Sequence, residues 1–307
     1  RIKVVDQNTP WIGGIVGVSS FGFGGSNSHV ILDVSISENK TVSSAIPWLI
    51  PFSATTANAV ECALSTVRDK ERIGLLQLIQ NTNIPGHRFR GYCIPEVCEM
   101  KIEELNSTNV AMETWFVFSG LGSQWDGMGR DLLVFKAFRD VFVKAADTVK
   151  LFGIDLLRYI VDSATFNASN ILYHAVCTCS IEIALVVLLS SIDITPQQIF
   201  GHSVGEFACA YADGCCNIEE SVLTTWAIFK GCLDSNLPPG AMASVGLRWD
   251  DKKMPWKDNT PACYNAIDNM MVGGSAASIK ELVKYLKGAG IFAREINSQG
   301  FAFHSDL

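Results

Sequence analysis

The sequence has no surplus of positive charge: 24 lysines and arginines stand against 31 acidic residues, a formal net charge of -7. Such a field repels polyanions, and no basic patch with interleaved aromatics interrupts it, so nucleic acid is not an expected partner. An uninterrupted apolar run of the roughly 20 residues that a membrane span needs is also missing. The most apolar stretch, ILYHAVCTCSIEIALVVLLSSI, carries His174 and Glu182 and is expected to be a buried helix. The ten cysteines lack the CxxC spacing of zinc sites, so free thiols in a reducing compartment are expected and no metal site is. The opening, RIKVVDQNTPW, has neither a Met nor an apolar run behind a positive start. It gives no secretory leader, which points to the cytoplasm, and it suggests a piece of a longer chain. Internal repeats and low-complexity tracts are absent.

With 307 residues and 48% hydrophobic content, the chain can bury a sizeable core as two domains or three small ones. Strand-like runs at 15–18 and 29–32 flank a glycine-rich loop in GGIVGVSSFGFGGSNSHVILDV, and the polar stretch SISENKTVSS follows as a linker. A strand, a helix capped by Ser53 or Thr55 and a second strand, HRFRGYCI, make a small α/β unit. PEVCEMKIEELNSTN reads as a charged surface segment. From WFVFSG onward, strands and helices alternate: a helix from about residue 126, another over 170–190, then QQIFGHS leading into a helix from about residue 204. That alternation predicts an α/β domain with a mostly parallel sheet. Within it, 240–299 form a smaller unit of four apolar strands and the helix SIKELVKYLKGAG.

Gly201-His202-Ser203-Val204-Gly205 fits the G-x-S-x-G pattern, a serine on a sharp strand-to-helix turn whose crowding excludes Cβ atoms at the glycines. At such a corner the Val204 N–H, at a helix start, faces any developing oxyanion. The pentapeptide alone is equally compatible with a serine that only caps the helix. Two further stretches bear on the choice. FSGLGSQWDGMGRDL places Gly122 and Gln124 in a loop after a strand, where a second backbone N–H is available, and GFAFHSDL offers His304 as a base. A histidine between apolar residues is also compatible with a hydrogen-bonded core group.

GLGSQW, GHSVGE and AFHS, in this order, resemble the malonyl/acetyl transferase domain of fatty acid and polyketide synthases. GGIVGVSSFGFGGSNSHVIL resembles the C-terminal end of a β-ketoacyl synthase, and PFSATTANAV with HRFRGYCI resembles the linker domain between the two. TPWIGGIVGVSSFGFGG and EFACAYADGC look most like animal fatty acid synthase. The resemblance implies a ketosynthase end at 1–35, a linker domain at 36–112 and an acyltransferase domain at 113–307. The implied fold is α/β: an α/β-hydrolase-like acyltransferase core with an inserted ferredoxin-like subdomain at 240–299, preceded by a small α/β linker domain and a ketosynthase tail.

By resemblance, Ser203 is the nucleophile that takes an acyl group from coenzyme A. His304 is the general base that deprotonates Ser203 and later activates the phosphopantetheine thiol of an acyl carrier protein. The N–H groups of Gln124 and Val204 make the oxyanion hole, and Gly122, Phe303 and Asn265 join the substrate pocket. Coenzyme A thioesters are the implied substrates, with no cofactor resident in this chain. The implied partners are the carrier protein and the remaining synthase domains of a homodimer. His29, with Asn27, matches a ketosynthase loop whose cysteine would lie upstream of Arg1. One departure concerns the family arginine that pairs with the malonyl carboxylate: counted without gaps from Ser203, its place holds Ile228. Lys230 stands in only if two residues are inserted, a shift of about 200° in helix phase. Weak malonyl selection, or low activity in a diverged copy, follows. Two rivals remain: an α/β-hydrolase esterase or thioesterase, for which the HGGG-type loop is missing, and an inactive piece lacking the rest of the transferase core.

Overall fold

The computed structural model describes residues 4–7, 9–34, 46–67, 86–94, 97, 99–104, 113–167, 169–248 and 258–307. The polar stretch 35–44 expected as a linker lies outside them. The chain divides into two units, Arg1–Thr108 and Asn109–Leu307.

In the first unit, β1 (Gly14–Phe21) pairs antiparallel with β2 (Asn27–Val34), Gly14 opposite Val34 and Phe21 opposite Asn27. The turn between them closes on a Gly22 N–H bond to the Ser26 carbonyl. β3 (Ile50–Ala54), α1 (Ala57–Val67), β4 (Phe89–Ile94) and β5 (Glu99–Glu104) follow, the strands in antiparallel order β3-β4-β5. Val60 and Leu64, one turn apart on α1, bury against Ile50 and Cys93. Two expectations change here. The α1 cap is Thr56, whose hydroxyl accepts from the Ala59 N–H, while Ser53 is engaged with His87. The charged segment after β4 is partly a strand, because Met100 and Ile102 alternate with its charges and their neighbours pair with β4.

In the second unit, β6 (Trp115–Phe118) leads through a loop and a 3-10 turn at Arg130–Val134 into α2 (Lys136–Lys150). The helix thus starts ten residues later than expected; Gly127 and Gly129, both at positive φ, hold the preceding chain in turns. α3 (Leu156–Val161), α4 (Ile171–Ser190), β7 (Gln198–Gly201), α5 (Gly205–Ala212) and α6 (Ile218–Asp234) complete the larger layer. β7 runs parallel to β6, Phe118 opposite Gly201. Of the described helices, α4 is long and apolar enough to cross a membrane; here its residues from Ile171 to Ala184 are mostly buried in the core, with Phe138 and Phe142 of α2. Asn170 caps it through the Tyr173 N–H, and Asn217 with Glu220 forms a capping box on α6.

The smaller unit consists of β8 (Gly240–Val245), β9 (Asn259–Ala266), β10 (Asn269–Ser275), α7 (Ala276–Gly288) and β11 (Ala293–Ile296). Its antiparallel sheet has the order β11-β8-β10-β9. Strand alternation divides the work. Ala241, Ala243 and Val245 pack under Ile279, Leu282 and Leu286 of α7, which leaves Met242 and Ser244 on the other face.

Candidate active site

β7 ends at Gly201, α5 begins at Gly205, and the chain reverses between them. Ser203 sits at the corner with φ 55°, the left-handed region that a residue with a Cβ enters at a cost of about 1–3 kcal/mol. The corner is pressed against the end of β6. A Cβ on Gly205 would lie 2.3 Å from the Phe118 carbonyl oxygen and 2.8 Å from that of Ser119, so the second glycine of the motif is a packing requirement.

Ser203 Oγ lies 3.0 Å from His304 Nε2, across 101 residues of sequence. His304 also has positive φ, 58°, in a turn held by the Ser305 hydroxyl on the Ala302 carbonyl. A hydroxyl proton donated to Nε2 requires the tautomer protonated at Nδ1. Among the described residues no group accepts from that Nδ1.

The loop after β6 supplies the opposite lip. The Gln124 amide is fixed at both ends: Oε1 accepts from the Gly122 N–H at 2.7 Å, and Nε2 donates to His174 Nδ1 at 3.0 Å. Among the described residues, neither the Gln124 N–H nor the Val204 N–H donates to another group of the chain. Both remain available to an incoming oxygen, and Val204 adds the positive end of α5. His174 is buried, stacks on Phe166 and has its pKa lowered by desolvation, so it is neutral.

A cavity of about 850 Å³ opens at this place. Gly122, Gln124, His202, Ser203, Phe303 and His304 line one side, and Met242, Ser244, Cys263, Met271 and Arg294 line the other, from the free face of the small sheet. Phe303 is set by Phe229 of α6, ring centroids 5.7 Å apart.

Residues 115–307 match the family described as acyl transferase domain, and 1–94 match the ketoacyl-synthetase C-terminal extension. The chain belongs to the acyl transferase domain family. The acyltransferase is 28% identical to the highly reducing polyketide synthase srdA of Neurospora crassa, over 99% of this chain and 15% of that protein. A second relative, a highly reducing polyketide synthase of Pyrenophora dematioidea, is 29% identical over all of this chain and 14% of its own length. The chain thus spans about a seventh of the curated relatives it matches. The acyl transferase domain of SpnD shares its fold with a TM-score of 0.69 at 21% identity, covering 82% of this chain and 64% of that one. These relatives carry the coarser reading, a synthase acyltransferase behind a ketosynthase extension. They do not carry the choice of animal fatty acid synthase.

Two expected pocket residues of the acyltransferase are elsewhere. Asn265 does not line the cavity. It takes part in a 3.2 Å bond with His202 Nε2 and donates to Asn269, because it points to the elbow from the end of β9. Lys230 does not line it either: its ammonium binds Asp234, one turn on, along the half-exposed side of α6, while the adjacent Phe229 takes the inward position. Ile228 is also half-exposed. The phase difference already visible in the sequence therefore leaves neither residue able to replace the family arginine. His29, in the other unit, is bonded to Ser19 across the β1–β2 ladder, and Asn27 pairs with Phe21.

Arg294 is the lining residue that the sequence reading missed. It is the one Lys or Arg among the described residues that line the cavity, opposite Ser244 on β11. The A-R-E-I alternation was the available signal: once Ala293 is inward, Arg294 must face the other way.

Proposed function

We propose that this acyltransferase moves an acyl group from a coenzyme A thioester to the phosphopantetheine thiol of an acyl carrier protein, within a type I synthase of polyketide or fatty acid type. The 3.0 Å approach of Ser203 Oγ to His304 Nε2, between two uncommitted N–H groups, carries the reading.

Ser203 Oγ attacks the thioester carbonyl as His304 Nε2 takes its proton. The tetrahedral oxyanion accepts from the Gln124 and Val204 N–H groups, each worth roughly 3 kcal/mol to such a transition state. Collapse breaks the carbon–sulfur bond, the leaving thiolate regains the proton from His304, and an acyl ester stays on Ser203. The carrier thiol then gives His304 its proton, its sulfur attacks the ester, and Ser203 leaves with the proton restored. One thioester is exchanged for another.

The acyl group in this reading is uncharged. Neither Ile228 nor Lys230 lines the cavity, and Arg294, the one guanidinium lining it among the described residues, lies on the small sheet, so among those residues no paired cation of the family's kind stands beside Ser203. The reading carries with it a carrier protein and further synthase domains as partners, a dimeric parent enzyme and a cytoplasmic location.

Intact-mass measurement with acetyl- and malonyl-coenzyme A tests it. The acyl adduct should form on the wild type, faster from acetyl-coenzyme A. Ser203→Ala should abolish it, and His304→Ala should slow it about 10²- to 10⁴-fold. Rapid malonyl loading would overturn the uncharged choice. Release of the acyl group to water in preference to a carrier thiol would favour an esterase instead.

A further inference from the structure

Glu182 lies midway along α4, beneath the loop that follows β6. Its Oε1 accepts the Ser119 N–H at 2.5 Å, while its Oε2 is sealed from solvent with no partner. Ser119 is the hinge between the strand and the oxyanion loop. The next residue, Gly120, is pressed on the elbow: a Cβ there would lie 2.9 Å from the His202 carbonyl oxygen and 3.1 Å from Ser203 Cβ. A shift of Ser119 is therefore a shift of the backbone that touches the nucleophile.

Among the described residues, no charge stands ready to balance a carboxylate at this place. On α4 the titratable neighbour is Cys179, a thiol pushed up to about 12 by burial and therefore neutral. The buried residues that α2 and α6 contribute to the core carry no charge, and Thr225 of α6 hydrogen-bonds to Cys179. On the elbow, His202 and Glu206 do not contribute to the shift of Glu182, and the loop offers only the Ser119 backbone. Burial raises the Glu182 pKa to about 7, and the one N–H bond offsets part of that rise.

We propose that Glu182 is a positioning residue that holds the oxyanion loop against the Ser203 elbow as the neutral acid, and that its ionisation, which leaves a sealed charge at Oε2 with no partner, draws water beneath the loop, shifts it from the elbow and slows acyl transfer. The proposal rests on Ser203 being the acylated residue. In consequence the loading rate has a falling limb at alkaline pH that does not belong to His304, because loss of a proton from the base favours catalysis.

Glu182→Gln, a neutral isostere, decides it in the full chain. Single-turnover loading of Ser203 from acetyl-coenzyme A is followed by intact mass between pH 5.5 and 9, with the thermal unfolding midpoint measured over the same range. The wild-type rate should fall roughly tenfold from pH 7 to 8.5, as the acid form is titrated away, while the variant stays level. The variant should also gain in unfolding midpoint over the wild type as pH rises from 5.5 to 8, since the native state alone holds that proton. Coincident pH profiles of the two proteins would overturn the proposal, as would a variant that does not fold. If the wild type forms no adduct at any pH, the functional reading fails instead. The midpoint series then judges Glu182 alone, and a difference that does not grow with pH overturns its role.

Discussion

The two walls of the cavity are fixed by different means. On the elbow wall, position is set by backbone: Ser203 and His304 both have left-handed φ, Gly205 admits the Phe118 and Ser119 carbonyls, and Gln124 is pinned at both ends of its amide. The sheet wall is set by side chains. Met242, Ser244, Cys263, Met271 and Arg294 project from a regular antiparallel ladder whose other face carries the packing against α7. In the proposed reaction the reacting groups thus stand where substitution disturbs the main chain, and the facing wall is one whose side chains can change without disturbing the fold.

Substitutions on each wall sharpen this contrast. Gly205→Ala should have the largest effect, because its methyl meets backbone that has no room to yield. We expect about 1–3 kcal/mol lost in urea unfolding, together with loss of acyl loading. Met271→Ala, on the half-buried face of β10, should leave unfolding much closer to wild type and change the ratio of loading by short and longer acyl-coenzyme A esters about tenfold, measured by competition. Equal stability losses at the two sites would break the comparison. Lys230→Ala should have the smallest effect. Its pair with Asp234 is an exposed i, i+4 contact worth about 0.3–0.5 kcal/mol, and loading rates from either donor should change by less than about twofold.

The elbow was legible because its constraints are local: an apolar strand, two glycines and a helical run adjoin in sequence, and the structure repeats that order. The four strands and helix of the small unit were legible through apolar alternation. Features set by distant packing were not. α2 begins at Lys136 because glycines at 127 and 129 turn the chain first, which composition around residue 126 does not reveal. β5 was hidden by its charges, although Met100 and Ile102 keep period two between them. Asn265 was assigned to the pocket by the family resemblance, yet the fold directs it to His202. Arg294 was signalled by the A-R-E-I alternation, but its face is fixed only when β11 is placed beside β8, with Ser244 as its partner.

That His202–Asn265 bond joins the residue beside Ser203 to the last residues of β9, and so spans the gap between the two walls. Widening the mouth to admit a bulky thioester must either break this strut or drag the corner of the chain with it. The corner that carries the Ser203 hydroxyl and the edge strand of the small sheet are thus tied by one hydrogen bond.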